Sequence, residues 1–186
     1  PAMHNAAFDR LGLNWRYLPL AVEPARLPAA VEGLRALGFA GANLTIPHKE
    51  AVLPLLDEVT PAAGAIGAVN TIAVEDGRLI GDNTDAGGLL AALERANVVL
   101  QGREALILGA GGAARAAAYA LLTAGARVSL LARTPARAWR IADDLRRRLE
   151  EARVGLVDDH RSRVAPVEGV VHASVAAQLP GTAAQQ

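Results

Sequence analysis

The stretch that decides the fold is Ala105-Leu106-Ile107-Leu108-Gly109-Ala110-Gly111-Gly112-Ala113, in which a short apolar run leads directly into a glycine-rich turn. The apolar run predicts a strand that is buried on both faces of a parallel sheet. A helix is predicted over Ala113–Ala124, a second strand over Arg127–Ala132 and a second helix from Thr134 to about Glu151. This alternation is typical of the opening half of a Rossmann-type doubly wound parallel sheet, for which Val154–Val157 and Gly169–Ala173 are predicted as further strands.

The glycine turn has the composition of a dinucleotide-binding loop. Glycine lets the backbone turn sharply and approach a pyrophosphate, and the N–H groups at the start of the following helix then face the phosphates. The predicted cofactor-binding residues of the turn are Gly109, Ala110, Gly111, Gly112 and Ala113. Two alternatives remain, namely an ordinary tight turn between strand and helix and a loop that binds S-adenosylmethionine.

The end of the second strand indicates which dinucleotide is bound. A domain that selects NAD usually has an acidic residue there, about 20 residues past the glycines, to bind the ribose 2′-hydroxyl. Here Arg133, Thr134 and Arg137 occupy the start of the next helix, and no acidic residue is present. Two guanidinium groups and a hydroxyl suit a 2′-phosphate, so the sequence predicts NADP rather than NAD. The alternative is a solvated helix start that happens to carry surface arginines.

The residues before the turn predict a separate α/β unit with shorter elements. Asp76-Gly77 is a strong two-residue hairpin signal between strands over Val69–Glu75 and Arg78–Asp82. The remaining predicted elements are helices over Met3–Leu11, Pro28–Leu37 and Lys49–Leu56, a short helix capped by Thr60, a helix capped by Thr84 and running to Arg95, and strands over Trp15–Val22 and Ala42–Thr45. A boundary near Asn97–Arg103 divides the chain into a first domain of residues 1–100 and a second of residues 101–186.

Polar residues interrupt this first unit at strand ends, where a rigid scaffold can direct them into a cleft. The segments concerned are Gly41–Glu50, Gly67–Thr71 and Gly81–Asp85. Lys49 is notable because it is the single lysine in a chain with 18 arginines, and lysine can give and take a proton where arginine cannot. Each residue taken alone has an ordinary interpretation; Lys49, for example, could be a solvated lysine at a helix start.

Together these segments resemble the signatures of the shikimate dehydrogenase family, in order and at matching spacing. Pro1–Asn5 is similar to the end of its Ser-x-Ser-Pro-x-x-His-Asn motif, and Gly41–Lys49 to its Gly-x-Asn-x-Thr-x-Pro-x-Lys motif. The other matching segments are Gly67–Thr71, Gly81–Asp85, Gly109–Ala113 and the run from Arg133 to Arg137. The resemblance extends from Pro1 to about Leu145.

The resemblance implies an NADPH-dependent reduction of 3-dehydroshikimate to shikimate, within aromatic amino-acid biosynthesis. It implies that Lys49 is the proton donor and that Asp85 lies beside it and shares in the proton transfer. Asn70 and Asp85 are expected to bind substrate hydroxyls, with Asn43 and Thr45 lining the pocket. The resemblance also implies missing parts, because the first strand of the family and its C-terminal part are not found. The chain is therefore expected to be a fragment, and the alternative is a genuine short relative.

Composition narrows the partners. The formal net charge is zero, so no basic excess indicates nucleic acid or an anionic membrane, and no apolar run approaches the roughly 20 residues that cross a bilayer. There is no cysteine and the four histidines are scattered, so no metal site is expected. The expected partners are a small-molecule substrate, NADP and a second copy in a homodimer, in the cytoplasm.

Two rival functions are kept. One is a non-catalytic NADP-binding or regulatory module, which would retain the glycine turn but would not need Lys49 close to Asp85. The other is a quinate/shikimate dehydrogenase relative that acts on a related hydroxy acid. The distance between the Lys49 and Asp85 side chains discriminates the non-catalytic module from an enzyme.

Overall fold

The computed structural model describes residues 1–149 and 154–156, which form two sheets with a helix between them in the chain. The described α-helices are α1 (Ala2–Arg10), α2 (Leu27–Ala36), α3 (His48–Ala51), α4 (Pro61–Ile66), α5 (Thr84–Arg95), α6 (Gly112–Thr123) and α7 (Pro135–Arg148). The described strands are β1 (Gly41–Asn43), β2 (Glu58–Val59), β3 (Thr71–Glu75), β4 (Arg78–Asp82), β5 (Glu104–Leu108), β6 (Arg127–Leu131) and β7 (Val154–Leu156). Two short 3-10 helices cover Pro24–Arg26 and Leu53–Leu55.

The first sheet has the strand order β1-β3-β4-β2. β3 pairs antiparallel with both β1 and β4, while β2 pairs parallel with β4. The predicted hairpin between β3 and β4 is confirmed, and its two turn residues, Asp76 and Gly77, both have positive φ (49° and 75°), as a type I′ turn requires. Leu27, Val31 and Leu34 of α2 bury their side chains with Ile72 and Leu79 of this hairpin.

The second sheet is parallel, with the order β5-β6-β7. Its strands alternate with α6 and α7, so the predicted Rossmann-type arrangement is confirmed. The core combines Ile107, Val128 and Leu130 of the strands with Leu121 of α6 and Leu145 of α7, all at most 1% exposed. The strand predicted over Val154–Val157 is present as β7, whereas the one predicted over Gly169–Ala173 lies outside the described residues.

Close packing of small side chains joins α6 to the first half of the chain. Ala116 and Ala120 of α6 form one buried cluster with Ile66, Ala68 and Ala86. Because alanine side chains are short, helix backbones can approach one another closely here. The start of α6, and with it the glycine turn, therefore lies directly against the segments that carry the polar residues of the first sheet.

Three expectations about local structure are wrong. Trp15–Val22 is not a strand, because the backbone groups of Tyr17 are bound by the Asn5 side chain, at 2.7 Å for the amide and 3.0 Å for the carbonyl, instead of by a neighbouring strand. The helix predicted over Lys49–Leu56 is only the four-residue α3, because a proline at position 54 supplies no N–H for a longer helix. Thr84 is not the cap of α5: the Asn83 side chain accepts the hydrogen bond from the Asp85 amide at 3.1 Å.

Two absences hold for the part of the chain that the structure describes. No helix there combines the length and apolar character that a bilayer span needs. Nor do three or more His, Cys, Asp or Glu side chains within those residues converge in a way that could hold a metal ion. Buried polar side chains do occur in this part of the chain, and they belong to Asn70, Asn83 and Arg115.

Candidate active site

Lys49 and Asp85, 36 residues apart in the chain, form an ion pair. Lys49 lies in α3 and Asp85 in the first turn of α5, and Lys49 Nζ donates to Asp85 Oδ2 at 2.6 Å. Only 14% of the lysine side chain is exposed, against 33% for the aspartate. A charge-assisted hydrogen bond this short, partly removed from water, fixes both groups more strongly than an ordinary surface pair.

Asn70 binds the second oxygen of the Asp85 carboxylate. Its Nδ2 donates to Asp85 Oδ1 at 2.7 Å and to Thr84 Oγ1 at 3.0 Å, and its Oδ1 accepts from the Thr84 amide at 2.9 Å. Asn70 is 8% exposed and directly precedes β3, so the residue at the start of this strand holds the first turn of α5 in place. Both oxygens of Asp85 are therefore bound, one by a cation and one by an amide.

Asn43 extends this network outward. Asn43 Nδ2 donates to Thr71 Oγ1 at 3.0 Å, and Thr71 Oγ1 donates to Asn70 Oδ1 at 2.9 Å. On its other side, Asn43 Oδ1 accepts from the Tyr17 hydroxyl at 2.8 Å. Thr45 is exposed, and its carbonyl accepts from the His48 amide at 2.9 Å at the start of α3.

Sequence reasoning missed three members of this network as site residues: Tyr17, Thr71 and Thr84. Thr71 and Thr84 lie within the polar segments that the sequence singles out, so their place beside Asn70 and Asp85 could have been found. Tyr17 lies in a segment predicted as a strand, and nothing in the sequence indicates that its hydroxyl reaches Asn43.

Two clefts, of about 560 and 380 Å³, border this network. Tyr17 and Asn43 line both clefts, and Thr45 lines the smaller one. Lys49, Asn70 and Asp85 line neither of these two clefts, so the ion pair sits beside them and not within them.

The glycine turn lies against the side chain of Lys49. Gly109 has φ +127° and its amide donates to the Leu131 carbonyl at 2.8 Å, so the turn begins where β5 and β6 end. A Cβ placed on Gly109 or Gly111 would meet no atom within 4 Å, whereas one on Gly112 would lie 3.0 Å from Lys49 Cβ and 3.2 Å from Lys49 Cδ. Gly112 therefore packs on the side chain of Lys49, while the Cβ directions of Gly109 and Gly111 face open space.

The predicted 2′-phosphate residues lie at the same edge of the second sheet. Leu108 pairs with Leu131 in register, so the residues that follow each strand, the glycine turn and Arg133, extend beyond the same carboxyl edge. Arg133, Thr134 and Arg137 are all exposed, and Thr134 makes no side-chain hydrogen bond to α7. Ala110 and Ala113 of the turn are partly exposed.

This fold and site define a class: an α/β protein in which a Rossmann-type parallel sheet adjoins a second, mixed sheet carrying a lysine–carboxylate pair. Residues 91–183 match the family model described as shikimate / quinate 5-dehydrogenase, and residues 1–72 match the shikimate dehydrogenase substrate binding domain. The chain belongs to the shikimate dehydrogenase family.

Known relatives agree in sequence and in structure. The NADP(+) shikimate dehydrogenase of Methanothermobacter thermautotrophicus is 55% identical over 146 residues, which cover 78% of this chain and 51% of the relative. The crystal structure of the Aquifex aeolicus shikimate dehydrogenase matches with a TM-score of 0.84 at 37% identity, covering 94% of this chain and 63% of that one. The Thermus thermophilus shikimate 5-dehydrogenase in complex with NADP(H) and shikimate matches with a TM-score of 0.74 at 44% identity, covering 85% and 57%. The chain thus spans about half the length of the curated relatives it matches.

Proposed function

We propose that this chain catalyses the reversible reduction of 3-dehydroshikimate to shikimate with NADPH. The observation that carries the proposal is the 2.6 Å contact between Lys49 Nζ and Asp85 Oδ2, made where Gly112 packs on the lysine side chain. A proton-donating cation and the turn that would bind a dinucleotide are therefore adjacent. The names of the relatives, and the NADP(H) and shikimate bound to the Thermus thermophilus structure, support the same function.

Reduction of a ketone places negative charge on the carbonyl oxygen, and the chain supplies the group that neutralises it. NADPH, when bound, supplies the hydride to the C3 carbon. The Lys49 ammonium would bind the developing alkoxide and donate its proton, and Asp85 would hold the ammonium in place and share the transferred proton. Arginine could supply the charge but not readily the proton.

Substrate hydroxyls would be recognised by polar side chains in and around the ion pair. Asn70 and Asp85 would bind substrate hydroxyls, and Asn43 and Thr45 would line the pocket. Asn70 is already held by hydrogen bonds from both sides of its amide, so its orientation is fixed before substrate arrives. A donor or acceptor left unpaired in such a site costs about 1–3 kcal/mol, which disfavours substrates that lack a hydroxyl.

The turn and the residues after β6 fit NADP. A backbone that meets no atom within 4 Å on the Cβ side of Gly109 and Gly111 leaves room for a pyrophosphate at the start of α6. Arg133, Thr134 and Arg137 would bind the 2′-phosphate from the neighbouring strand end. Residues 1–100 would then form the substrate-binding domain and residues 101–186 the NADP-binding domain.

A non-catalytic NADP-binding module is the rival function, and the ion pair argues against it. A module that only senses the cofactor has no use for a lysine drawn out of water and held by a carboxylate. The second rival, a quinate/shikimate dehydrogenase relative, differs only in which hydroxy acid the same kind of site would prefer. The homodimer and the cytoplasmic location stay predictions, to be tested by analytical ultracentrifugation and by fractionation of cells.

An NADPH-linked assay with 3-dehydroshikimate tests the function, with quinate oxidation run in parallel. We expect Lys49→Ala and Lys49→Arg each to reduce turnover by about 10²-fold or more, the usual contribution of a general acid, with NADPH affinity nearly unchanged. Arg78→Ala is the control, because Arg78 is a 59% exposed cation paired with Glu58. Unchanged turnover in Lys49→Ala would remove Lys49 from the mechanism, and an inactive wild-type chain would contradict the proposal.

The cofactor assignment has its own experiment. Titrations of NADP and NAD by fluorescence should show tighter binding of NADP to the wild-type chain. Arg133→Ala and Arg137→Ala should each weaken NADP binding by about tenfold, the loss of one charge-assisted hydrogen bond, while NAD affinity stays the same. Equal affinities for NADP and NAD in the wild-type chain would refute the assignment.

A further inference from the structure

The helix that carries Lys49 cannot position itself. α3 has only four residues, none of them buried, and no side chain caps its N-terminus. Helices this short are unstable alone, because nucleation costs more than a single turn returns. Contacts from outside must therefore hold α3, and one of them is the 2.8 Å hydrogen bond that the Val69 amide donates to the Lys49 carbonyl.

Arg115 of α6 reaches α3 from the second sheet. It is 7% exposed although it is charged, and its Nε lies 3.3 Å from Glu50 Oε2, on the residue that follows Lys49. This contact is an ion pair without hydrogen-bond geometry, since Nε has no hydrogen-bond partner. Nη1 of the same guanidinium donates to Asp144 Oδ2 of α7 at 2.9 Å. Burial is the largest single influence on Asp144 and raises its pKa, but the hydrogen bond and charge of Arg115, together with Arg147 and Arg148, outweigh burial and hold that pKa below its usual value.

The same guanidinium lies against the end of α4. A Cβ added to Gly67 would lie 3.2 Å from Arg115 Nη1 and 3.4 Å from Arg148 Nη1. Gly67 has φ +72°, where glycine is favoured, and it stands three residues before Asn70. Arg148 also donates to the carbonyl of Gly64 in α4. Arg148 of α7 thus bonds the segment that leads into the candidate site, and Arg115 of α6 packs against it.

The geometry points to Arg115 as a positioning residue for Lys49: by holding Glu50 and the Gly67 turn, it fixes the proton donor relative to the glycine turn at the start of its own helix. This inference rests on the proposed function, because Lys49 needs a precise position only if it is the proton donor. The planar guanidinium can face Glu50 and Asp144 at once, which a single ammonium cannot do in the same way. The hydrogen bond and ion pairs of Arg115 go to Asp144 and Glu50, so its proposed effect on Lys49 is indirect.

Lys49 can be observed without any turnover, because it is the only lysine in the chain. Brief acetylation with acetic anhydride, followed by peptide mass spectrometry, measures the labelling rate of Lys49 relative to the N-terminal amine of the same molecules. The wild-type rate should be low, since the side chain is 14% exposed and bound to Asp85. Neither NADPH nor substrate is needed, so failure of this inference is distinguishable from failure of the proposed function.

The variants are Arg115→Met, Arg115→Lys and Glu50→Gln. We expect Arg115→Met and Glu50→Gln each to raise the relative rate about tenfold, the effect of losing one charged contact, and Arg115→Lys to recover part of the protection. In the double variant of Arg115→Met and Glu50→Gln, Lys49 should be acetylated no faster than in the faster of the two single variants, because both changes break the same contact. Arg127→Met is the matched control, since it removes an exposed pair with Glu104 in the second sheet, and its rate should stay within about twofold of wild type.

A purely structural role gives a different result. Arg115→Met would then lower the thermal midpoint while Lys49 labelling stayed within about twofold of wild type in both single variants, and that outcome would overturn the inference. Should Arg115→Met fail to fold, Glu50→Gln decides alone. It preserves side-chain shape at a position whose side chain is 42% exposed, so it should fold.

Discussion

Gly112→Ala is the sharpest perturbation of the contact between the glycine turn and Lys49, the proposed proton donor. The new Cβ would lie 3.0 Å from Lys49 Cβ, 3.2 Å from Lys49 Cδ and 3.6 Å from Ala68 Cβ. Carbon atoms pack best at about 3.5–4.0 Å, so the two lysine contacts are too short by several tenths of an ångström. The lysine stem must move, and its Nζ must then move relative to Asp85.

The stability cost of this change is small. Overpacking of this kind costs about 1–3 kcal/mol. The replacement of glycine by alanine within a helix returns up to about 1 kcal/mol, and less at the first helical position. The free energy of unfolding should therefore fall by no more than about 3 kcal/mol, which leaves a folded protein to be assayed.

The effect on turnover is separate from the effect on stability, because a folded variant can still hold Lys49 out of place. Displacement of a reacting group by as little as about 1 Å can reduce a rate by about 10²-fold, so we expect kcat to fall by roughly 10- to 100-fold. The assay is NADPH-linked reduction of 3-dehydroshikimate, with urea unfolding of the same preparations. Lys49 acetylation should also be faster in the variant, and this measurement needs no turnover.

Gly88→Ala is the matched control. A Cβ on Gly88 would meet nothing within 4 Å, and the residue lies within α5. It should stabilise the chain by about 0.5–1 kcal/mol and leave kcat unchanged. The reasoning is refuted if Gly112→Ala keeps kcat and the acetylation rate within about twofold of wild type, because Gly112 and Lys49 would then not be in the contact described.

Three further predictions concern stability and are checked by urea unfolding. Leu145→Ala should lower the free energy of unfolding by about 2–5 kcal/mol, because Leu145 is fully buried. Leu37→Ala, at a 75% exposed position, should lower it by less than about 0.5 kcal/mol, and similar losses in the two variants would contradict the assigned core. Asn83→Ala should cost about 1–2 kcal/mol through loss of the α5 cap, and a neutral result would mean that water replaces the cap. Arg115, Arg147 and Arg148 together outweigh burial and hold the pKa of Asp144 below 3.8, so the unfolded chain binds a proton there more readily. Wild-type stability should therefore fall as the pH drops through 3.8 and below, and less steeply in Asp144→Asn; parallel curves would contradict the assigned arginine contacts.

Local signals in the sequence predicted most of the elements. The positive φ values of Asp76 and Gly77 follow from the hairpin pair, and the short apolar run before Gly109 predicted a buried parallel strand. These features depend on neighbouring residues alone. The wrong strand over Trp15–Val22 illustrates the limit, because a strand also needs a partner, and alternation of residue types does not reveal whether one is present.

The candidate site needed more than local signals. The contact between Lys49 and Asp85 spans 36 residues and depends on how α3 and α5 pack, so the sequence suggested it only through the family resemblance. Arg115 gave no signal at all. Its helix is rich in alanine and buried on most sides, so no apolar stripe marks which face is inward, and the arginine would ordinarily be assigned to the surface.

The glycines of the turn are required for two different physical reasons. Gly109 has φ +127°, a conformation that side chains disfavour, and its Cβ direction faces open space, so its proposed role is to shape the turn for a ligand. Gly112 has ordinary helical geometry at the start of α6, and what it accommodates is the side chain of Lys49. Under the proposed function, one turn would limit both the approach of the dinucleotide and the position of Lys49. Because the glycine turn and the Lys49 contact meet at the start of α6, a shift of this helix start would change both.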